Sequence, residues 1–94
     1  MTYSVANPPI LISQSIGGAG PKIWIMDNDD PTATVDSAGY ISNGSDLGLK
    51  VGDVVIHEDL SVETTNQYRV DAVTAGGSAD LADGTVTGSA TDTD

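Results

Sequence analysis

The sequence Leu49-Lys50-Val51-Gly52-Asp53-Val54-Val55-Ile56-His57 lies within the strongest β segment of the chain, residues 47–59. Residues 49–53 are expected to form the strand entry, bent at Gly52, and residues 54–57 the strand itself. Its β-branched residues favour an extended backbone. Because side chains alternate along a strand, Val54 and Ile56 share one face while Val55 and His57 share the other. We therefore predict a β-strand here that has apolar side chains on both faces.

The segment Ile23-Trp24-Ile25-Met26 repeats this two-faced pattern. Alternation places Ile23 and Ile25 on one face and Trp24 and Met26 on the other. We expect one face to lie in the core and the other to meet a second layer or a partner. The Trp24 ring itself has three interpretations: a core residue, which we favour, an anchor at a protein interface, or a stacking platform for a sugar.

Three more segments complete the predicted secondary structure. Residues 66–74 alternate cleanly, with Tyr68, Val70 and Ala72 inward and with Gln67, Arg69 and Asp71 in water. A single helical turn is expected over residues 35–40 and a weak last strand within residues 79–86. Val, Ile and Thr are abundant and helix-forming residues are scarce, so the sequence predicts an all-β fold, a small β-sandwich or barrel-like domain.

The chain divides into three parts. Residues 1–21 contain Asn7-Pro8-Pro9, which favours extended backbone, and end in a glycine-rich hinge over residues 17–21. We therefore predict an extended N-terminal arm that stands apart from the compact fold. Residues 22–87 form the small β domain. Residues 88–94 have no large apolar side chain, and we expect a frayed, flexible acidic tail.

Composition and charge exclude several classes of protein. The 94 residues include 14 acids, three bases and no Cys, which gives a formal net charge of −11. Such a surface repels phosphate backbones and anionic lipids, so we expect neither nucleic-acid nor membrane partners. Disulfides and cysteine-ligated metals are excluded.

Candidate catalytic and metal-binding residues do not form any recognised motif. Asp27, Asp29 and Asp30 fail the EF-hand spacing, and we interpret them as a solvated acidic turn, with a looser cation site as the alternative. His57 is the only histidine and has no supporting nucleophile motif. We predict neither an enzyme nor a cofactor.

The small size of the chain suggests that it needs a partner. Only 38% of the residues are hydrophobic, and Gly, Ala, Ser and Thr are plentiful, so the apolar area buried per ordered residue is limited. We expect stabilisation by oligomerisation or by docking on a larger body. The residues predicted to bind that partner are those of the arm and the first strand: Pro8, Pro9, Ile10, Leu11, Ile12 and Trp24.

The order of several short motifs resembles a family of small virion proteins of tailed bacteriophages, of the capsid decoration (cement) or head-fibre type. The resemblance covers roughly residues 7–77. It is carried by these motifs: Asn7-Pro8-Pro9-x-Leu11-Ile12-Ser13-Gln14, Gly17-Gly18-x-Gly20-Pro21-x-x-Trp24, Asp36-x-Ala38-Gly39-Tyr40, Asn43-Gly44, Asp46-Leu47-Gly48 and Val51-Gly52-Asp53-Val54-Val55.

The resemblance implies a structural protein that decorates and stabilises the outer capsid surface. Its expected partners are the major capsid protein and further copies of itself, as a trimer or another homo-oligomer. The negative charge agrees with the outer surface, because packaged DNA would repel it. Two alternatives stay open: a head-fibre base or a tail or neck component, and a carbohydrate-binding module for host attachment.

Overall fold

The computed structural model describes residues 3–13 and 20–89. Strands predominate, which confirms the predicted all-β class. The elements in chain order are β1 (Ile10–Ser13), β2 (Ile23–Asn28), α1 (Thr32–Val35), α2 (Gly44–Leu47), β3 (Val54–Asp59), β4 (Thr64–Val73), β5 (Ala79–Leu81) and β6 (Thr85–Ser89). Within these residues no helix is long and apolar enough to cross a membrane.

The strands form one sheet in the order β1-β2-β3-β4, and both β5 and β6 pair with β4. The β2–β3 pair is parallel and the other pairs are antiparallel. Strand β5 lies along residues 70–73 of β4 and β6 along residues 64–67. The weak last strand predicted over residues 79–86 is therefore two strands, separated by residues 82–84.

The connection from β2 to β3 supplies the second layer. Parallel neighbours cannot be joined by a tight turn, so residues 29–53 cross from one strand to the next and cover one face of the sheet. We call the covered face the inner face and the opposite one the outer face. Helix α1 begins after Pro31, one turn before the predicted position, since proline is tolerated where a helix starts.

The core lies between the inner face and this connection. On the three central strands alternation buries one side chain in two, as the sequence predicted. The connection adds four buried apolar side chains. The core consists of Trp24, Met26, Val35, Tyr40, Ile41, Leu49, Val55, Tyr68, Val70, Ala79 and Leu81.

One inward prediction on β4 is wrong. Tyr68 and Val70 are buried, whereas Ala72 is exposed. The pairing of β4 with β5 shifts its register between Val70 and Ala72. An irregularity of this kind inserts a residue into the ladder and changes the face of the residues that follow.

The N-terminal segment is extended, but residues 3–13 lie against the body, which corrects the expectation that the whole arm stands apart. Tyr3 packs edge-on against Tyr40, with ring centroids 5.5 Å apart, and its hydroxyl donates to Asn43 Oδ1 at 2.6 Å. Pro9 is buried, and β1 pairs with β2. Residues 14–19, which include the first three residues of the predicted hinge, and the last five tail residues (90–94) lie outside the described residues, while Gly88 and Ser89 belong to β6.

Candidate functional site

The outer face of the sheet carries exposed apolar side chains in the middle of the domain. Ile10, Ile25 and Ile56 lie side by side on β1, β2 and β3, and Ile23 pairs with Val54 in the adjacent row. We call these five residues the outer patch. Ile10 is 63% exposed, Ile25 41% and Ile23 36%, whereas Val54 and Ile56 are half-buried. Contiguous exposed apolar side chains of this kind are typical of interaction surfaces.

The outer patch continues to an open sheet edge. Strand β1 pairs with β2 on one side, and no strand among residues 3–13 and 20–89 pairs with its other side. Its register shifts between Leu11 and Ser13, which leaves Ile12 in an irregular position where it is 54% exposed. An apolar strand with one free edge can accept a further strand through main-chain hydrogen bonds.

A shallow cleft of about 370 Å³ lies beside the outer patch. Its apolar lining consists of Pro8, Ile10, Ile25 and Met26, and its acidic lining of Asp27 and Glu58. Asp27 and Glu58 are paired neighbours on β2 and β3, so they point to the same side of the sheet.

Two contacts fix the walls of this cleft. The Asn7 side chain donates to the Asp27 carbonyl oxygen at 2.6 Å, which ties the N-terminal segment to the end of β2. The Thr65 hydroxyl donates to Glu58 Oε1 at 2.7 Å, which orients that carboxylate. The cleft is therefore held in shape by the chain itself.

The residues predicted to bind a partner divide into two groups. Ile10, Leu11 and Ile12 are exposed on β1, and Pro8 is half-buried at the cleft. Pro9 and Trp24, in contrast, are buried and cannot meet a partner in this conformation.

Trp24 belongs to the core, in agreement with the interpretation favoured from the sequence. Its indole N–H donates to Asp53 Oδ2 at 3.0 Å, and Lys22 Nζ lies 3.5 Å from the same oxygen. This buried carboxylate also accepts the main-chain N–H groups of Lys22 and Lys50. A buried indole needs such a partner for its N–H, and Asp53 supplies it.

The sequence analysis expects one face of residues 23–26 to meet a second layer or a partner, and it considers Asp27 only as a cation ligand. It does not identify Val54, Ile56 and Glu58 as parts of this surface. The two-faced pattern of residues 23–26 was a usable signal, because it predicts that one apolar face is left over. The neighbouring position of Asp27 and Glu58 depends on the parallel pairing of two distant strands, which no local pattern reveals.

A second group of polar side chains lies on the inner face, closed off from solvent. His57 Nε2 lies 2.6 Å from Asn28 Oδ1. Asn28 Nδ2 donates a hydrogen bond to the Tyr40 hydroxyl at 2.8 Å, and that hydroxyl donates one to Asp30. Desolvation by burial lowers the pKa of His57, although Asp59 and Asp30 act in the opposite direction. Burial also raises the pKa of Tyr40.

Some buried polar atoms near this group have no hydrogen-bond partner among the described residues: His57 Nδ1, Asn66 Oδ1 and the Tyr68 hydroxyl. An unpaired buried polar atom costs about 1–3 kcal/mol. Burial raises the pKa of Tyr68 to about 12, so its hydroxyl stays neutral at physiological pH. His57 is fully buried and has no access to a substrate in solution.

The acidic cluster of the sequence is split by the fold. Asp27 lies on the outer face and Asp29 is exposed, whereas Asp30 is fully buried and accepts the Tyr40 hydroxyl. The interpretation as a solvated turn is thus wrong for Asp30. Within residues 3–13 and 20–89, no three His, Asp or Glu side chains are grouped so as to hold a metal ion.

Comparison of the chain with protein-family models, with curated proteins and with solved structures finds no match.

Proposed function

We propose that this protein is a structural component of a tailed-phage virion that decorates and stabilises the outer capsid surface. The observation that carries the proposal is the apolar row Ile10–Ile25–Ile56 beside the open edge of β1, in which Ile10 and Ile25 are exposed. The expected partners are the major capsid protein and neighbouring copies of this chain, as a trimer or another homo-oligomer.

The exposed apolar row supports a docking role for physical reasons. Covering the outer patch would remove several isoleucine side chains from water, at about 25 cal/mol for each Å² of apolar surface buried. A strand from the partner could pair with β1 at the same time and set the register of the contact. Many copies bound across capsid subunits would stabilise the shell by linkage, since each copy binds only the assembled form.

The charge of the chain supports the outer rather than the inner side of the shell. A formal net charge of −11 on 94 residues disfavours contact with packaged DNA. The same charge keeps free copies soluble and apart despite the exposed apolar patch.

Of the two alternative functions, the virion components fit the docking surface better than the carbohydrate-binding module does. A head-fibre base or a tail or neck component would use the same docking surface, and copy number per particle separates these from a decoration protein. A carbohydrate-binding module depends on an exposed aromatic ring. Trp24, Tyr40 and Tyr68 are buried, and Tyr3 is half-buried against Tyr40.

The test compares particles assembled with and without this chain. We expect purified particles to contain the chain in a fixed ratio to the major capsid protein, and particles without it to release their DNA at a lower temperature. Absence of the chain from purified particles would overturn the proposal, and a few copies per particle would favour the fibre or neck alternative instead.

A pair of matched variants tests the docking surface itself. Ile25→Thr shortens an exposed side chain of the outer patch, and Val62→Thr makes a similar change at a position that is 63% exposed and lies outside the patch. We expect Ile25→Thr to lower capsid occupancy at least tenfold at a fixed protein concentration, and Val62→Thr to leave it unchanged. Equal occupancy for the two variants would exclude the outer patch as the docking surface.

A further inference from the structure

The basic residues lie at one end of the sheet, where Asp53 and Asp71 also lie. All three basic residues of the chain belong to the end where β2 and β3 begin: Lys22 and Lys50 precede these strands, and Arg69 pairs with Val54. Asp27 and Glu58 lie at the opposite end, four residues further along each strand. A rise of about 3.3 Å per residue makes this separation roughly 13 Å, longer than the screening length of about 8 Å in physiological salt.

Among residues 3–13 and 20–89, no basic side chain forms an ion pair with Asp27 or Glu58. Lys22 is paired with the buried Asp53 at 3.5 Å, and Arg69 is paired with Asp71 at 3.4 Å. Two carboxylates on neighbouring strands repel each other, and this repulsion is relieved when a cation binds between them.

The walls of the cleft select the kind of cation. Pro8, Ile10 and Ile25 form an apolar surface that leads to the two carboxylates. A lysine or arginine side chain has the complementary structure, because its aliphatic stem packs on apolar groups while its charged end reaches a polar rim. A bare metal ion or a small ammonium ion would leave the apolar walls uncovered.

We infer that this cleft binds a lysine or arginine side chain of an extended segment of the partner protein. The inference rests on the proposed docking function and names the chemistry of the partner's contact. The partner segment lies over the outer patch with its basic side chain between Asp27 and Glu58, and the polarity of the cleft fixes its direction. The charge of the chain strengthens the contact, since a basic segment approaches a body of formal charge −11.

The experiment uses a defined probe and the full chain. The peptide acetyl-Thr-Val-Lys-Val-Thr-amide is titrated into isotope-labelled protein at low salt, and amide chemical shifts are followed. A second peptide carries norleucine in place of lysine, which keeps the aliphatic stem without the charge. We expect the lysine peptide to shift the amides of Asn7, Ile10, Ile25, Asp27 and Glu58, and to bind at least fivefold more tightly than the norleucine peptide.

Two double variants separate a local contact from a general charge effect. Asp27→Asn with Glu58→Gln removes the two carboxylates that line the cleft, and Asp46→Asn with Asp83→Asn removes two exposed carboxylates that do not line it. Both change the net charge equally. We expect the first to weaken lysine-peptide binding at least fivefold and the second less than twofold. Equal weakening, equal binding of the two peptides, or shifts elsewhere on the surface would overturn the inference.

Capsid occupancy distinguishes failure of this inference from failure of the proposed function. Loss of occupancy with both Ile25→Thr and the Asp27→Asn, Glu58→Gln double variant supports the two proposals together. Loss of occupancy with Ile25→Thr alone supports the outer patch as the docking surface and contradicts the binding of a basic side chain in the cleft. Full occupancy with both variants contradicts the docking surface itself.

Discussion

The two faces of the sheet use similar side chains for different purposes. On β2, Trp24 and Met26 point to the inner face and are 4% exposed, whereas Ile23 and Ile25 point outward and remain 36% and 41% exposed. The inner face is covered by residues 29–53 of the same chain. The outer face has no such layer among the described residues. The chain itself covers only one apolar side of β2, and we propose that a partner covers the other.

The two faces of the sheet also differ in whether their polar side chains are buried or exposed. The inner face buries His57, Asn66 and Asp59, although burying polar groups is costly unless they are paired. The outer face keeps Asp27 exposed beside the half-buried Glu58. The inner polar groups therefore affect the stability of the fold, and the outer carboxylates are available for binding.

The largest expected difference between the faces comes from truncating adjacent residues of β2. Met26→Ala removes a buried side chain and should lower the free energy of unfolding by about 2–5 kcal/mol. Ile25→Ala, one residue earlier, should lower it by about 1 kcal/mol or less, because its side chain is already in contact with water. Urea unfolding followed by circular dichroism measures both, and equal losses would contradict the assignment of the faces.

The next effect concerns the glycine that packs against the inner face. A Cβ at Gly84 would clash with the ring of Tyr68, a fully buried side chain. Gly84→Ala should therefore lower the free energy of unfolding by about 1–3 kcal/mol. Gly88→Ala is the control, since the nearest atom to its Cβ is 3.9 Å away, and its effect should stay within about 0.5 kcal/mol. A neutral Gly84→Ala would show that Tyr68 is loosely packed.

The pH dependence of stability tests the buried histidine. Burial lowers the pKa of His57 in the folded protein, while the unfolded chain titrates near pH 6.5. Acidification therefore protonates the unfolded state first and stabilises it, so stability that is complete above pH 7.5 is lost as the pH falls through 6.5 towards the pKa of folded His57.

The control for this effect is His57→Asn. Because His57 is the only histidine of the chain, the variant should show a flat stability between pH 7.5 and 5.5, even if its stability at every pH is lower. Urea midpoints at several pH values measure the slope. An equal slope in both proteins would mean that other groups carry the pH dependence.

The smallest expected effect lies on the outer face and has the opposite sign. Asp27→Asn removes the repulsion with Glu58 and should raise the free energy of unfolding by about 0.2–0.5 kcal/mol at low salt. The gain should shrink in 0.5 M NaCl, where charges are screened. Asp83→Asn is the control and should change stability less. A loss of stability in Asp27→Asn would mean that the carboxylate has a partner within the fold.

Much of the fold follows from local sequence patterns. The alternation on β2 and β3 was predictable because strand periodicity is set by backbone geometry alone. The exposure of Ala72 was not, since the register shift in β4 depends on its pairing with β5. The single helical turn expected over residues 35–40 lies at residues 32–35 instead, because Pro31 favours the start of a helix directly after it.

The candidate site was predictable only in part. Ile10, Leu11 and Ile12 were identified from an isolated apolar run, and they are exposed on β1. Their pairing with β2 was not foreseen, because an antiparallel contact across a glycine-rich segment leaves no local signal. The cleft requires Asp27 and Glu58 to be neighbours, which follows from the parallel pairing of strands separated by a long connection.

The burial of Trp24 allows its fluorescence to report on the state of the core. It is the only tryptophan, its indole is bonded to Asp53, and it faces away from the outer patch. Its emission should therefore respond to loss of the native core and stay constant when a partner covers the opposite side. A binding titration with unchanged emission would mean rigid attachment, and a red shift would mean that attachment opens the sheet.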